Sequence, residues 1–269
     1  MRLVGLVSTA LLSASSCSFG PVHDNASKQE FSTELAPQGR WRKHEGLYFR
    51  VISDASQAEA VGRAAGNIYH AIVTNIKLPR MAKPMSLYPL YFYSTRQEYL
   101  EKSRMPEWSA GVFREGRIML YSHREAPEVL AHEIAHLIYW EFFGPGNTGN
   151  LWLNEGLAMY EERKLGGEPF EQSVRDAQGI VKNGYLPLIQ LVNTNTALNH
   201  QQKDAGIFYA QSWLLVYYLL EHGGNVGFYE MMKALREGYP VDKALAIGFP
   251  AKWRDLDKLE ESFKIKFNL

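Results

Sequence analysis

The stretch PEVLAHEIAHLIYWEFFG (127–144) sets two histidines four residues apart, His132 and His136, with Glu133 directly after the first. Pro127 suits a first helical turn and Gly144-Pro145 a stop, so the stretch predicts a single helix. On a helix, residues four apart leave the same face about one turn, roughly 6 Å, apart, and two imidazoles so placed can grip one metal ion. Glu133 is offset by about 100°, yet it is near enough to reach a water held on that metal. A second helical stretch, LWLNEGLAMYEE (151–162), follows a Gly/Asn-rich turn at 144–150 and presents Glu155, with 18 residues between it and His136. Helices joined by so short a loop run antiparallel, which can bring the Glu155 carboxylate over the two imidazoles. His132, His136 and Glu155 then make a three-ligand set with a fourth position left to water, the pattern of a catalytic zinc site and not of a closed structural one. Two neutral imidazoles, one carboxylate and an open tetrahedral position favour Zn²⁺, one ion per chain.

Composition narrows the chemistry in the same direction. Cys17 is the only cysteine in 269 residues, which excludes an intramolecular disulfide framework and any thiolate cage, so a metal site must rest on histidines and carboxylates. Lys+Arg and Asp+Glu both number 29, and without a basic surplus nucleic acid is excluded as a partner.

The elements that must position these residues fall into two kinds. LYFRVIS (47–53) alternates like a strand, Ala55 to Lys77 carries apolar residues at helical spacing, LYPLYFYS (87–94) reads as a second strand, Thr95 to Ser103 as a short helix capped by Thr95, and Arg117 to Tyr121 as a third strand. From Glu125 onward the signals are helical: 125–143, 152–165, 168–181, 204–222, 225–237 and 251–266. The fold class is therefore α+β, with a mixed α/β lobe at about 41–143 and a helical lobe at about 144–269 within one domain, 41–269. Arg117 to Tyr121 reads equally as an interior strand or as an edge that could take an extended peptide. Trp140, Phe142 and Phe143 read as packing residues, and His123 and His222 as surface or capping histidines. Asn154, just before Glu155, can either orient a ligand or cap the helix.

On these residues the chain resembles the gluzincin metallopeptidases, the clan of thermolysin and the zinc aminopeptidases, and within it the peptidase MA-like bacterial branch. The match is specific over 127–162 and looser through YAQSWLLVYYLLEHGG (209–224) and ALAIGFPAKWRDLDKLEESF (244–263). The resemblance implies a zincin-like fold with the metal in the cleft between the lobes, His132, His136 and Glu155 as zinc ligands and Glu133 as general base. It also implies the mechanism: zinc lowers the pKa of its water, Glu133 takes the proton, the hydroxide attacks a peptide carbonyl, and Glu133 delivers the proton to the leaving amine. Because the resemblance places a tyrosine at the start of the flanking helix, Tyr209 is the candidate oxyanion donor, with core packing as its rival reading. Two departures stand out. Met159 occupies the position where thermolysin-type chains carry an aspartate that orients a zinc histidine, so that support is expected from elsewhere. SAGVFREGRIML (109–120) lacks the GxMEN segment with which the aminopeptidases bind a free amine, which points to an endopeptidase acting on a peptide or protein substrate.

The N-terminus, MRLVGLVSTALLSASSC, reads as a secretory signal over 1–16: Arg2 is a short basic region and Leu3 to Ala14 an apolar one. Twelve such residues span about 18 Å as a helix, short of a membrane's ~30 Å core. Ala14, Ser15 and Ser16 before Cys17 resemble a bacterial lipobox, which implies lipidation at Cys17, a membrane partner through that anchor, and a place in the cell envelope; the rival is a secreted protein cut near the same residues. Residues 17–40 are polar and aperiodic and read as a flexible tether. Two functional rivals remain: a non-catalytic, zinc-containing lipoprotein serving binding or assembly, and a zinc amidase acting on cell-wall crosslinks.

Overall fold

The computed structural model of the chain describes residues 32–54, 56–78, 86–145, 147, 149–166, 169–194 and 203–269. Its first half builds β1 (Trp41–Glu45), β2 (Phe49–Asp54), α1 (Ala58–Asn75), β3 (Tyr88–Tyr93), α2 (Arg96–Ser103), β4 (Gly111–Arg114) and β5 (Arg117–Tyr121). The strands form one sheet in the order β1-β2-β3-β5-β4. β2 pairs with β3 and β3 with β5 in parallel, whereas the outer pairs are antiparallel hairpins. The parallel pairs follow from the intervening helices α1 and α2, since a parallel connection needs a crossover. Arg117 to Tyr121 is thus an interior strand, and the edge beside it is β4.

Side chains alternate across this sheet with a period of two. Phe49, Val51, Leu90, Phe92, Ile118 and Leu120 join the main core under α1 and the later helices. Ile52, Tyr91, Tyr93, Val112 and Met119 face the other way and form a smaller cluster with Tyr99 of α2 and Ala36. That second face explains why the segment read as a tether is not free at its end. From Ser32 onward it lies on the tyrosines: the Tyr93 hydroxyl donates to the Leu35 carbonyl at 2.9 Å, and the Lys102 ammonium donates to the Glu34 carbonyl at 2.8 Å. Cys17 and the proposed signal segment, 1–16, lie outside the described residues.

The remainder is helical: α3 (Ala126–Phe143), α4 (Leu151–Leu165), α5 (Phe170–Lys182), α6 (Leu188–Asn193), α7 (Lys203–Tyr218) closed by a π turn at Leu219–Gly223, α8 (Asn225–Arg236), α9 (Val241–Gly248) and α10 (Leu256–Phe267). The helix expected over 251–266 begins later, where Asp255 caps α10 by accepting from the Lys258 amide at 2.8 Å. Every residue from Val129 to Tyr139 is buried, so α3 is enclosed on all sides, with His132, Glu133 and His136 the ionisable residues within that stretch. Among the described residues no helix is long and apolar enough to cross a membrane.

Candidate metal centre

α3 and α4 present their functional side chains to each other in antiparallel register. The residue early in α3, His132, meets the far end of α4 at Glu162, and the later His136 meets Asn154 near its start. His132, His136 and Glu155 each offer a ligand atom, and these atoms all lie within 4.8 Å of one another. The two Nε2 atoms are 3.1 Å apart, and His136 Nε2 lies 3.9 Å from Glu155 Oε2. The three residues named from sequence as a ligand set are thus brought together, all but fully buried.

Their surroundings fix the protonation pattern. His132 Nδ1 lies 2.8 Å from Glu162 Oε2, and His136 Nδ1 lies 2.9 Å from Asn154 Oδ1. Both oxygens accept hydrogen bonds, so in the neutral rings both Nδ1 atoms carry the proton and both Nε2 lone pairs face one point. Glu155 Oε2, buried and without a hydrogen-bond partner, looks into the same space. Three electron-rich atoms converging in a buried pocket repel one another unless a cation sits between them. The donor set therefore fits a divalent metal of borderline softness.

In the protein chain alone, protons take up part of this repulsion. Burial opposes a charge on His132, but the hydrogen bond and charge of Glu162, with Glu133 and Glu155, outweigh it and lift this imidazole to about 9. Burial and the charge of His132 push His136 down to about 3. Burial, reinforced by Glu133 and Glu162, raises Glu155 to about 8. The cluster seeks positive charge and gathers it on one ring.

Glu133 is fully buried on the side of α3 that meets the edge strand β4. A Cβ built on Gly111 would lie 3.2 Å from its Oε1. Tyr209 is buried in α7, one turn before Ser212, whose carbonyl touches α4 at Gly156, the neighbour of Glu155. The ring of Tyr209 meets Phe208 edge-on. Asn154 orients His136, while the residue preceding α4, Asn150, caps without its side chain. Met159 is a core residue, and the carboxylate support comes from Glu162, a residue the sequence reading passed over. Glu162 lies seven positions after Glu155, on the same face two turns along, which is the one signal that could have found it.

His123 and His222 stay out of the cluster. His123 leans on Tyr121 with Nδ1 3.4 Å from Glu125, and His222 packs on Tyr217 and Tyr218. Trp140 packs against Tyr88 and Phe113, and Phe142 against Phe143 and Tyr229.

A sequence profile of the Peptidase MA superfamily matches residues 71–266, and the chain belongs to that superfamily. The mixed N-terminal sheet followed by helices is the α+β arrangement expected from the sequence. No curated protein sequence matches the chain. Among solved structures, yeast LTA4 hydrolase in complex with bestatin is similar at 17% identity and a TM-score of 0.44. That similarity covers 86% of this chain but 38% of the yeast chain, so this protein spans well under half of that enzyme's length.

Proposed function

We propose that the protein is a zinc-dependent endopeptidase working outside the cytoplasm, anchored through a lipid on Cys17, with His132, His136 and Glu155 holding the metal and Glu133 as general base. The observation that carries this reading is the convergence of His132 Nε2, His136 Nε2 and Glu155 Oε2 on one buried point, with Glu133 next to it in the chain. Zinc bound there supplies a Lewis acid that acidifies a water and polarises a carbonyl. Glu162 and Asn154 hold the imidazoles neutral and aimed, through their Nδ1 protons. Glu133 takes a proton from the attacking water and returns it to the leaving amine. A peptide laid in extended form along β4 would pass beside Glu133, which suits cleavage within a chain. Tyr209 serves as the oxyanion donor from the helix alongside α4.

The test pairs metal analysis with a broad peptide-library digestion. Wild type should hold one zinc and cleave internal bonds. Glu133→Gln should keep the zinc and the fold while losing at least ~10² in hydrolysis, because the amide neither accepts nor returns a proton. A wild type that cleaves no peptide, together with a Glu133→Gln variant that complements a deletion strain fully, would make the zinc site architectural. Cleavage restricted to cell-wall crosslinks would instead make the protein an amidase.

A further inference from the structure

Gly111 opens β4, the strand at the sheet edge, and its backbone is not in the left-handed region, so glycine is not needed there for its torsion angles. What it provides is space. A Cβ at this position would come 2.6 Å from Val129 Cγ1 and 3.2 Å from both Cγ and Oε1 of Glu133. Val129 and Glu133 are four apart on α3 and share a face, so that face of the helix rests directly on the strand. The strand is held from behind as well. The Ser109 hydroxyl donates to the Gly111 carbonyl at 3.0 Å and in turn accepts from the Tyr99 hydroxyl at 2.5 Å, and both of these side chains are buried. The charge of Glu133 reaches as far as Tyr99, where it adds to burial in raising that phenol.

We infer that Gly111 is a positioning residue: its missing side chain, with the Tyr99–Ser109 pin behind it, sets how closely the edge strand approaches the Glu133 carboxylate and so where that carboxylate stands. An added methyl group at 3.2 Å would press on Cγ and Oε1 of Glu133 and make the side chain give way by a few tenths of an ångström. The consequence for turnover rests on the reading of Glu133 as general base; the contact itself does not. A misplacement of about 1 Å in a reacting group can cost about 10² in rate, chiefly in kcat.

The experiment is a pair of double-mutant cycles on the full chain. In metal-free protein, denaturant unfolding of Gly111→Ala, Val129→Ala, Glu133→Ala and their combinations measures the contacts directly. Gly111→Ala should destabilise, Val129→Ala should relieve most of the loss by removing the tightest contact, and Glu133→Ala should relieve a smaller but measurable part. In zinc-loaded protein, Gly111→Ala/Val129→Ala should fold, keep its zinc, and lose severalfold to about 10-fold in kcat, less than a full ~1 Å misplacement would cost, with KM close to that of wild type. Ser109→Ala adds no atom and tests the same placement should Gly111→Ala fail to fold; it should lower kcat severalfold with zinc content unchanged. No coupling between positions 111 and 133, or a Gly111→Ala/Val129→Ala enzyme with wild-type kcat, would overturn the inference. Coupling in a protein whose wild type cleaves nothing would uphold the contact while the peptidase reading fails.

Discussion

Glu162 Oε2 lies 2.8 Å from His132 Nδ1, thirty residues away in the chain, and both side chains are buried. This carboxylate fixes the ring, keeps its Nε2 turned to the cluster, and makes that nitrogen a stronger base than an imidazole alone. His136 has only the neutral Asn154 oxygen in the same role, so the two imidazoles are held by unequal partners. Glu162→Ala should therefore weaken zinc binding by about 10–100-fold, and Glu162→Gln, which can still accept from Nδ1–H, by less. Competition with a chromophoric chelator measures this. Equal affinities for wild type and Glu162→Ala would show that His132 needs no support.

That pair also marks how far the sequence could be read. His132, His136 and Glu133 sit within five residues on one helix, where spacing alone dictates geometry, and the short loop then limits where Glu155 can go. Asn154 was legible as a choice between orienting a ligand and capping the helix, and Glu162 only by its seven-residue spacing from Glu155, because which contacts they make depends on the offset between α3 and α4, which packing sets. β1 was missed for another reason. Its residues, WRKHE, lie on the open edge of the sheet and are mostly exposed, so no apolar alternation betrays them. β4 has four residues and begins with Gly111, too short a run to show a period. α6, at six residues, and α9, hidden between Pro240 and Pro250, were lost likewise.

Tyr209 offers a sharper test of the catalytic arrangement. Buried in α7 beside Phe208, it can be a core residue or an oxyanion donor, and removing only its hydroxyl separates the two. Tyr209→Phe should keep the fold and the zinc and lose about 10²–10³ in kcat, the usual cost of one such donor. Normal turnover would return the ring to packing alone.

The proposed export rests on Arg2 and the apolar run Leu3 to Ala14, and the proposed anchoring on Ala14-Ser15-Ser16 before Cys17. Cys17→Ser should move the protein from the membrane fraction to the soluble fraction, because serine offers no thiol to carry the proposed lipid. Mass spectrometry of the mature N-terminus checks the modification independently. An unchanged distribution with no lipid mass would leave a secreted or otherwise retained protein.

The other end of α3 carries a half-buried carboxylate, Glu141, and it sets a pH dependence. Glu141 accepts from Tyr69 at 2.7 Å and from Tyr88, tying α3 to α1 and β3. Burial raises its pKa above the ordinary 4.5, and the two hydroxyl donors recover only part of that shift. A carboxyl raised on folding binds its proton more tightly in the folded chain than in the unfolded one. Its contribution to stability is therefore complete below about pH 4.5 and is lost as pH rises through the higher, folded value. Glu141→Gln keeps an oxygen for one tyrosine, offers an amide to the other, and cannot ionise. The variant should gain on wild type as pH rises above about 4.5 and level off once pH passes the folded value, in urea unfolding of metal-free protein so that zinc binding adds no pH dependence of its own. A stability difference between the two that stays constant across that range would mean that Glu141 ionises as easily in the folded chain as in the unfolded one.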